Sequence, residues 1–152
     1  MIRKILFICH GNICRSPMAE MILRQLAEEQ GAADGLRIDS AAVSTEELGN
    51  GIYPPAAAEL RRQGIAIRPH RARQMTAADA EEYDLLIGMD RMNLRGMARL
   101  TGGIHPEKLR LLGEWSDGRE IGDPWYTDRF DQAYRQIRAG CEGLLRALTQ
   151  AE

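Results

Sequence analysis

The first patterned stretch of the chain, KILFIC (Lys4–Cys9), is apolar at every position after the lysine, which predicts a strand covered on both faces. Beyond it the period changes from strand to helix. Met18, Ile22 and Leu26 recur at every fourth residue, with Ser16 in the place of an N-cap, Pro17 at the first helical position and Gly31 at the far end. LRIDSA (Leu36–Ala41) reads as a second strand, and PPAAAELRRQG (Pro54–Gly64) as a helix with proline at its start and glycine past its end. A short helix over Thr76–Glu82 leads into a third apolar strand, YDLLIGM (Tyr83–Met89), and RMNLRGMARL (Arg91–Leu100) is helical again. KLRLL (Lys108–Leu112) reads as a fourth strand. Over Asp128–Thr149, Phe130, Tyr134, Ile137, Cys141, Leu144, Leu145 and Leu148 mark one face of a long helix. Strands alternating with helices predict a three-layer α/β/α fold with a doubly wound sheet of about four parallel strands. No linker, repeat or low-complexity tract divides residues 1–152, so one domain is expected; AEEQGAADG (Ala27–Gly35) is only a helix end and loop.

In such sheets ligands sit beyond the carboxyl ends of the strands, which directs attention to the loop CHGNICRS (Cys9–Ser16) between the first strand and first helix. Composition limits what that loop serves. A formal net charge of −2 gives no general attraction to nucleic acid or to an anionic membrane, so neither is expected as a partner and any anion site must be local. The N-terminal apolar run stops before Gly11 and Asn12, too short for a signal peptide or membrane span, and a cytoplasmic location is expected. Three cysteines, Cys9, Cys14 and Cys141, are an odd number that argues for free thiols. His10, His70 and His105 stand far apart and no acids cluster beside them, so neither metal nor cofactor is expected.

A loop between a strand and a helix N-terminus can turn successive backbone N–H groups toward a tetrahedral oxyanion, and the helix end adds positive potential. The same field favours the thiolate of Cys9, the nucleophilic form. Arg15 brings a planar fork that matches two phosphate oxygens, while Gly11 and Asn12 suit a left-handed backbone. Ser16 caps the helix in this reading and can also donate to the sulfur. A nucleophile, an oxyanion cradle formed by His10, Gly11, Asn12, Ile13, Cys14 and Arg15, and a charge clamp thus fall within eight residues, Cys9–Ser16.

CHGNICRSPMAE resembles the signature Cys-x5-Arg-Ser of the low-molecular-weight protein tyrosine phosphatases, of the bacterial type. The blocks DSAAVSTEELGNGIYPPA, HRARQM, YDLLIGMDRMNLRGM, LRLLG and DPWYTDRFDQAY follow in that family's order, so the likeness spans nearly the whole chain. It implies hydrolysis of phosphotyrosine and aryl phosphates through a phosphocysteine, with Cys9 as nucleophile, Arg15 as clamp and Asp123 as general acid and base. It further implies that Asn12, Ser40 and His70 hold the loop through hydrogen bonds, and that Trp125, Tyr126 and Glu46 line the substrate cleft, Glu46 standing where many relatives have an aromatic. Phosphotyrosine-bearing proteins are the implied partners. Bacterial members often oppose a tyrosine kinase of polysaccharide export, which makes a cognate kinase a candidate as well.

Plainer readings stand beside these. Cys141 lies on an apolar helical face and reads as core; Cys14 is packing, or the partner that traps an oxidised Cys9 as a disulfide. His10 and His105 read as loop residues, Asp90 as a structural cap or network residue, Asp117, Asp128 and Asp131 as surface charges, and RRQGIAIRPHRAR (Arg61–Arg73) as a solvated basic stretch rather than a docking patch. An arsenate reductase on the same fold needs two more cysteines after the third strand, and none lies between Cys14 and Cys141. A phosphoarginine phosphatase is the other alternative, but such members carry Thr where this loop has Ile13. A non-catalytic anion-binding protein is expected only where Arg15 or Asp123 is lost.

Overall fold

The computed structural model of the protein describes residues 1–150. Four parallel strands lie in the order β2-β1-β3-β4, with β1 (Lys4–Cys9) between β2 (Arg37–Ala42) and β3 (Leu85–Gly88), and β4 (Leu109–Leu111) at the far edge. Because β1 is hydrogen-bonded on both sides and covered on both faces, every residue from Ile5 to Ile8 is fully buried, which is why its sequence shows no alternation. The pleat divides these side chains. Ile5, Phe7 and Cys9 face α1 (Arg15–Glu29), α2 (Pro54–Arg62) and α6 (Phe130–Gln150), whereas Leu6 and Ile8 face α3 (Ala77–Glu82) and α4 (Arg91–Thr101). Each buried Leu, Ile or Phe contributes roughly 1.5–3 kcal/mol. The doubly wound α/β architecture follows. Among the described residues no helix is long and apolar enough to cross a membrane.

Glycine sets one close approach that positions the site. A Cβ on Gly96 would meet Val43 Cγ1 at 2.3 Å, so only glycine lets α4 lie against the segment leaving β2. At the opposite end of the sheet Asp84 anchors the entry to β1, accepting the backbone N–H groups of Arg3 (2.7 Å) and Lys4 (2.9 Å) on one oxygen.

The third and fourth strands are shorter than their apolar patterns suggest. Tyr83 lies outside β3 and donates its hydroxyl to Asp39 (2.6 Å), and the 3-10 turn Leu112–Trp115 takes the end of the last apolar run. The long helix starts at Phe130, because Asp128, at φ 62°, ends a separate four-residue helix, α5 (Pro124–Thr127), too short to show a period in the sequence.

Candidate active site

The carboxyl end of β1 and the loop after it, the segment that follows β2 and the start of α5 surround one cleft. It encloses about 100 Å³ and is lined by Cys9, His10, Gly11, Ile13, Cys14, Glu46, Glu47, Asp123, Trp125 and Tyr126. At its floor the Cys9 sulfur lies 3.0 Å from the Ser16 hydroxyl and 3.4 Å from the Ser16 backbone nitrogen, which donates to it. Asn12 decides which way that hydroxyl points. Its Nδ2 donates to Ser16 Oγ at 2.8 Å, so the oxygen is taken as acceptor and the hydroxyl hydrogen is left for the sulfur, the Ala41 carbonyl being further away at 3.5 Å. Along Gly11–Arg15 no backbone N–H has an acceptor among the described residues. Unpaired donors beside a thiol, at the entrance of a fifteen-residue helix, fit an incoming oxyanion.

Arg15 is 2% exposed and fully partnered on its outer side. Its Nη1 donates to Asp90 Oδ2 and to the Ile121 carbonyl, both at 2.8 Å, and its Nη2 reaches Asp123 Oδ2 at 3.4 Å. Burial alone would lower its basicity, but the charges of Cys9, Asp123 and Asp90 outweigh burial and hold the guanidinium above its ordinary value. Asp123 is the N-cap of α5, its other oxygen accepting the Trp125 N–H at 3.1 Å. That cap fixes the carboxylate over the cleft. Asp90 plays the structural part expected of it, capping α4 through the Asn93 N–H (2.8 Å) while anchoring Arg15.

The loop is held from beneath by a strap, residues 70–75, that runs beside the end of β2. His70 Nε2 donates to the Asn12 carbonyl at 2.6 Å, and the Arg73 backbone N–H donates to Asn12 Oδ1 at 3.2 Å. Ala42 N–H to the Arg73 carbonyl and Met75 N–H to the Ala42 carbonyl tie the strap to the sheet. Asn12 itself is fully buried with φ 60°, the left-handed conformation its side chain tolerates.

Three expectations need correction. Ser16 does not cap α1: Cys14 occupies the N-cap position without a side-chain bond, and Asn12 and the sulfur engage the Ser16 hydroxyl instead. Gly11 is not left-handed, and a Cβ there would make only an ordinary contact, 3.4 Å from Glu47 Cγ. Ser40 is not in the loop network. It pairs with Phe7, two residues before the Cys9–Ala42 level, and from there its hydroxyl donates to Glu20 of α1 at 2.6 Å.

On the rim, His10 Nε2 and Glu46 Oε2 are 2.9 Å apart, both largely in solvent. Trp125 is half exposed and packs on Tyr53 with ring centroids 4.8 Å apart, while Tyr126 is 82% exposed. Cys14 is buried. Burial, then the charges of Cys9 and Asp123, pushes its thiol well above the usual range, so it stays protonated beside Cys9. Cys141 is core, as its helical face implies. The basic stretch is largely paired internally, Arg62 with Glu59, Arg68 with Glu28 and Arg73 with Asp79. Arg73, Tyr53, Glu47 and the Ile121 carbonyl were not identified from the sequence. Two of them act through backbone atoms, which carry no residue-type signal.

Comparison with known proteins bears on this geometry. The family described as low molecular weight phosphotyrosine protein phosphatase matches residues 4–152. The low molecular weight protein-tyrosine-phosphatase YfkJ of Bacillus subtilis is 39% identical over 147 residues, covering 95% of this chain and 94% of that protein. Its crystal structure superposes over 100% of this chain and 98% of its own with a TM-score of 0.94, at 32% identity. The mouse low molecular weight phosphotyrosine protein phosphatase is 37% identical over 149 residues, 94% of each chain. The structure described as DARP, drosophila arginine phosphatase, is also similar, with a TM-score of 0.85, 31% identity and coverage of 97% and 98%.

Proposed function

The chain belongs to the low molecular weight phosphotyrosine protein phosphatases, and from that premise we propose how its own residues divide the hydrolysis of a phosphotyrosine ester, with 1–152 acting as one catalytic domain. The observation that carries the proposal is the convergence of the Cys9 sulfur, unpaired loop amides, the buried Arg15 and the capped Asp123 on one cleft. The phosphoryl group enters with its oxygens on the amides of Gly11–Arg15 and the Arg15 fork, where donors already in place cost no reorganisation. The Cys9 thiolate attacks phosphorus in line. A phosphorus–sulfur bond forms as the bond to the phenolic oxygen breaks, and the Asp123 carboxyl passes its proton to that oxygen. Water then attacks the phosphocysteine, Asp123 takes back a proton, and the thiolate leaves with the Ser16 hydroxyl donating to it.

Trp125 and Tyr126 form the aromatic wall of the cleft, and the His10–Glu46 pair its polar edge. Ile13, apolar and lining the pocket, supports an aryl ester over phosphoarginine. Phosphotyrosine-bearing proteins are the substrates, a tyrosine kinase that makes the ester is the functional counterpart, and the free thiols Cys9, Cys14 and Cys141 suit the cytoplasm.

The test is turnover of phosphotyrosine, phosphoserine and phosphoarginine peptides and of para-nitrophenyl phosphate. Cys9→Ser should abolish all activity. Asp123→Asn keeps an oxygen to cap α5, so it should slow phosphotyrosine hydrolysis by about 10²–10⁴-fold but spare para-nitrophenyl phosphate, whose leaving group needs no proton. An equal loss on both esters removes Asp123 from the acid role, and faster turnover of phosphoarginine than of phosphotyrosine reverses the substrate assignment.

A further inference from the structure

Three helices that carry arginines neutralise at least one of them a turn away: Glu20 pairs with Arg24 in α1, Glu59 with Arg62 in α2, and Asp131 with Arg135 and Glu142 with Arg138 in α6. α4 does not. It holds Arg91, Arg95 and Arg99 at four-residue spacing, all exposed, and no acid anywhere along it. None of the three guanidinium groups has an ion-pair partner among the described residues. Two acids stand at the start of the helix and are engaged elsewhere. Asp90 caps α4 and holds Arg15, and Glu120 accepts the backbone N–H of Arg91 at 2.6 Å. Like charges one turn apart repel and lower helix stability, so an unneutralised row is a feature the fold alone does not call for. Met92, 72% exposed, and Ala98 complete the outward face, which contains no acceptor side chain.

We propose that this face of α4 docks an extended acidic segment of the phosphotyrosine protein, held apart from the phosphate itself. The inference deepens the phosphatase reading and rests on it. Spacing supplies the fit. Four residues of helix advance about 6 Å, and two residues of extended chain span about 6.6 Å, so acids at alternate positions of a strand-like segment meet Arg91, Arg95 and Arg99 in turn. Position supplies the link to catalysis. The row begins one residue past Asp90, whose carboxylate is bonded to the phosphate-clamping Arg15, so a segment lying on α4 runs outward from the cleft that holds its phosphotyrosine. With a net charge of −2 the protein as a whole does not attract polyanions, which favours a short segment tethered through its phosphotyrosine over a nucleic acid or a membrane.

The experiment compares phosphotyrosine peptides carrying (Glu-Ala)3 or (Gln-Ala)3 beyond a flexible spacer of about four to eight residues, placed on either side. The parent is set against Arg95→Gln/Arg99→Gln and against Arg95→Glu, with para-nitrophenyl phosphate as the small substrate and thermal melting as the fold check. Three exposed pairs worth about two-fold each predict a KM about eight-fold lower for the Glu peptide than for its Gln twin on the favoured side, at low salt. The advantage should shrink to about two-fold in Arg95→Gln/Arg99→Gln, with kcat and para-nitrophenyl phosphate turnover unchanged, and weaken in 0.5 M salt as exposed charges are screened. Equal KM values for Glu and Gln peptides in the parent, or an equal preference in parent and variants, overturns the proposal. So does arginine-dependent binding of phosphatidylserine vesicles or a short DNA duplex by a protein indifferent to the Glu peptides. Loss of para-nitrophenyl phosphate turnover in the parent would instead indict the phosphatase reading.

Discussion

Replacing Asn12 separates what the backbone of the loop requires from what its side chain supplies. The side chain makes two hydrogen bonds inside a fully buried site, Nδ2 to Ser16 Oγ at 2.8 Å and Oδ1 from Arg73 N–H at 3.2 Å, while φ stands at 60°. Each bond is worth about 1 kcal/mol net, and a left-handed backbone costs an ordinary L-residue about 1–2 kcal/mol. Asn12→Ala should therefore lose about 3–4 kcal/mol. Asn12→Gly loses the same bonds and escapes the left-handed cost, but gives up about 0.5–1 kcal/mol to the freer unfolded chain, so it should be about 1 kcal/mol more stable than the alanine variant. Both variants release the Ser16 oxygen from Nδ2, and the hydroxyl is then free to turn from the sulfur to the Ala41 carbonyl. Expulsion of the thiolate from the phosphocysteine should slow about ten-fold in each, the effect of roughly one charge-assisted hydrogen bond. Urea unfolding measures the first pair of effects and single-turnover kinetics with para-nitrophenyl phosphate the second. Equal stability of the two variants would refute the backbone argument, and unchanged dephosphorylation would refute the assignment of the Ser16 hydroxyl to the sulfur.

Asp84 should make stability depend on acid. Burial raises its pKa, but the N–H groups of Arg3 and Lys4 prevail and hold it below the ordinary value, so its contribution is present above the unfolded carboxylate value of about 3.9 and lost as pH falls through the lower folded one. Asp84→Asn should cost about 1–2 kcal/mol at pH 7, with the gap to the parent narrowing below about pH 4; a gap constant from pH 7 to pH 3 contradicts this. At the rim, Glu46 should disfavour acidic residues directly beside the phosphotyrosine, and Glu46→Gln should then reduce a preference for basic over acidic neighbours by about two- to five-fold in kcat/KM at low salt. Identical discrimination by parent and Glu46→Gln would show that Glu46 does not act on the residues beside the phosphotyrosine.

What the sequence disclosed depended on how each feature is written into it. β1 was legible because a strand paired on both sides must be apolar throughout, and α6 because a long helix repeats its buried face many times. The short α5 could not be read by period, although Asp123 and Pro124 are a cap and a first-turn proline, signals that speak without length. Among the site residues, Cys9 and Arg15 announce themselves by chemistry and spacing. The roles of Arg73 and Ile121 do not, since one offers a backbone N–H and the other a carbonyl, and any residue type could do the same. Ser40 misled in the opposite sense. The family resemblance places its hydroxyl in the loop network, but its register, opposite Phe7, leaves it within reach of Glu20 instead.

The strap at residues 70–75 holds more than the loop beneath which it lies. The same segment fastens the base of the acidic rim, Gly49 N–H to the Ala72 carbonyl and Ala72 N–H to the Asn50 carbonyl at 2.8 Å each, while the side chains of Glu46 and Leu48 stay exposed above those ties. Chemistry and selectivity therefore share an anchorage but not their variable parts. The exposed side chains of Glu46 and Leu48 can be exchanged without touching these backbone ties or the one from Ser44 N–H to the His10 carbonyl, so divergent descendants of this scaffold, or variants made in the laboratory, could exchange one clientele for another.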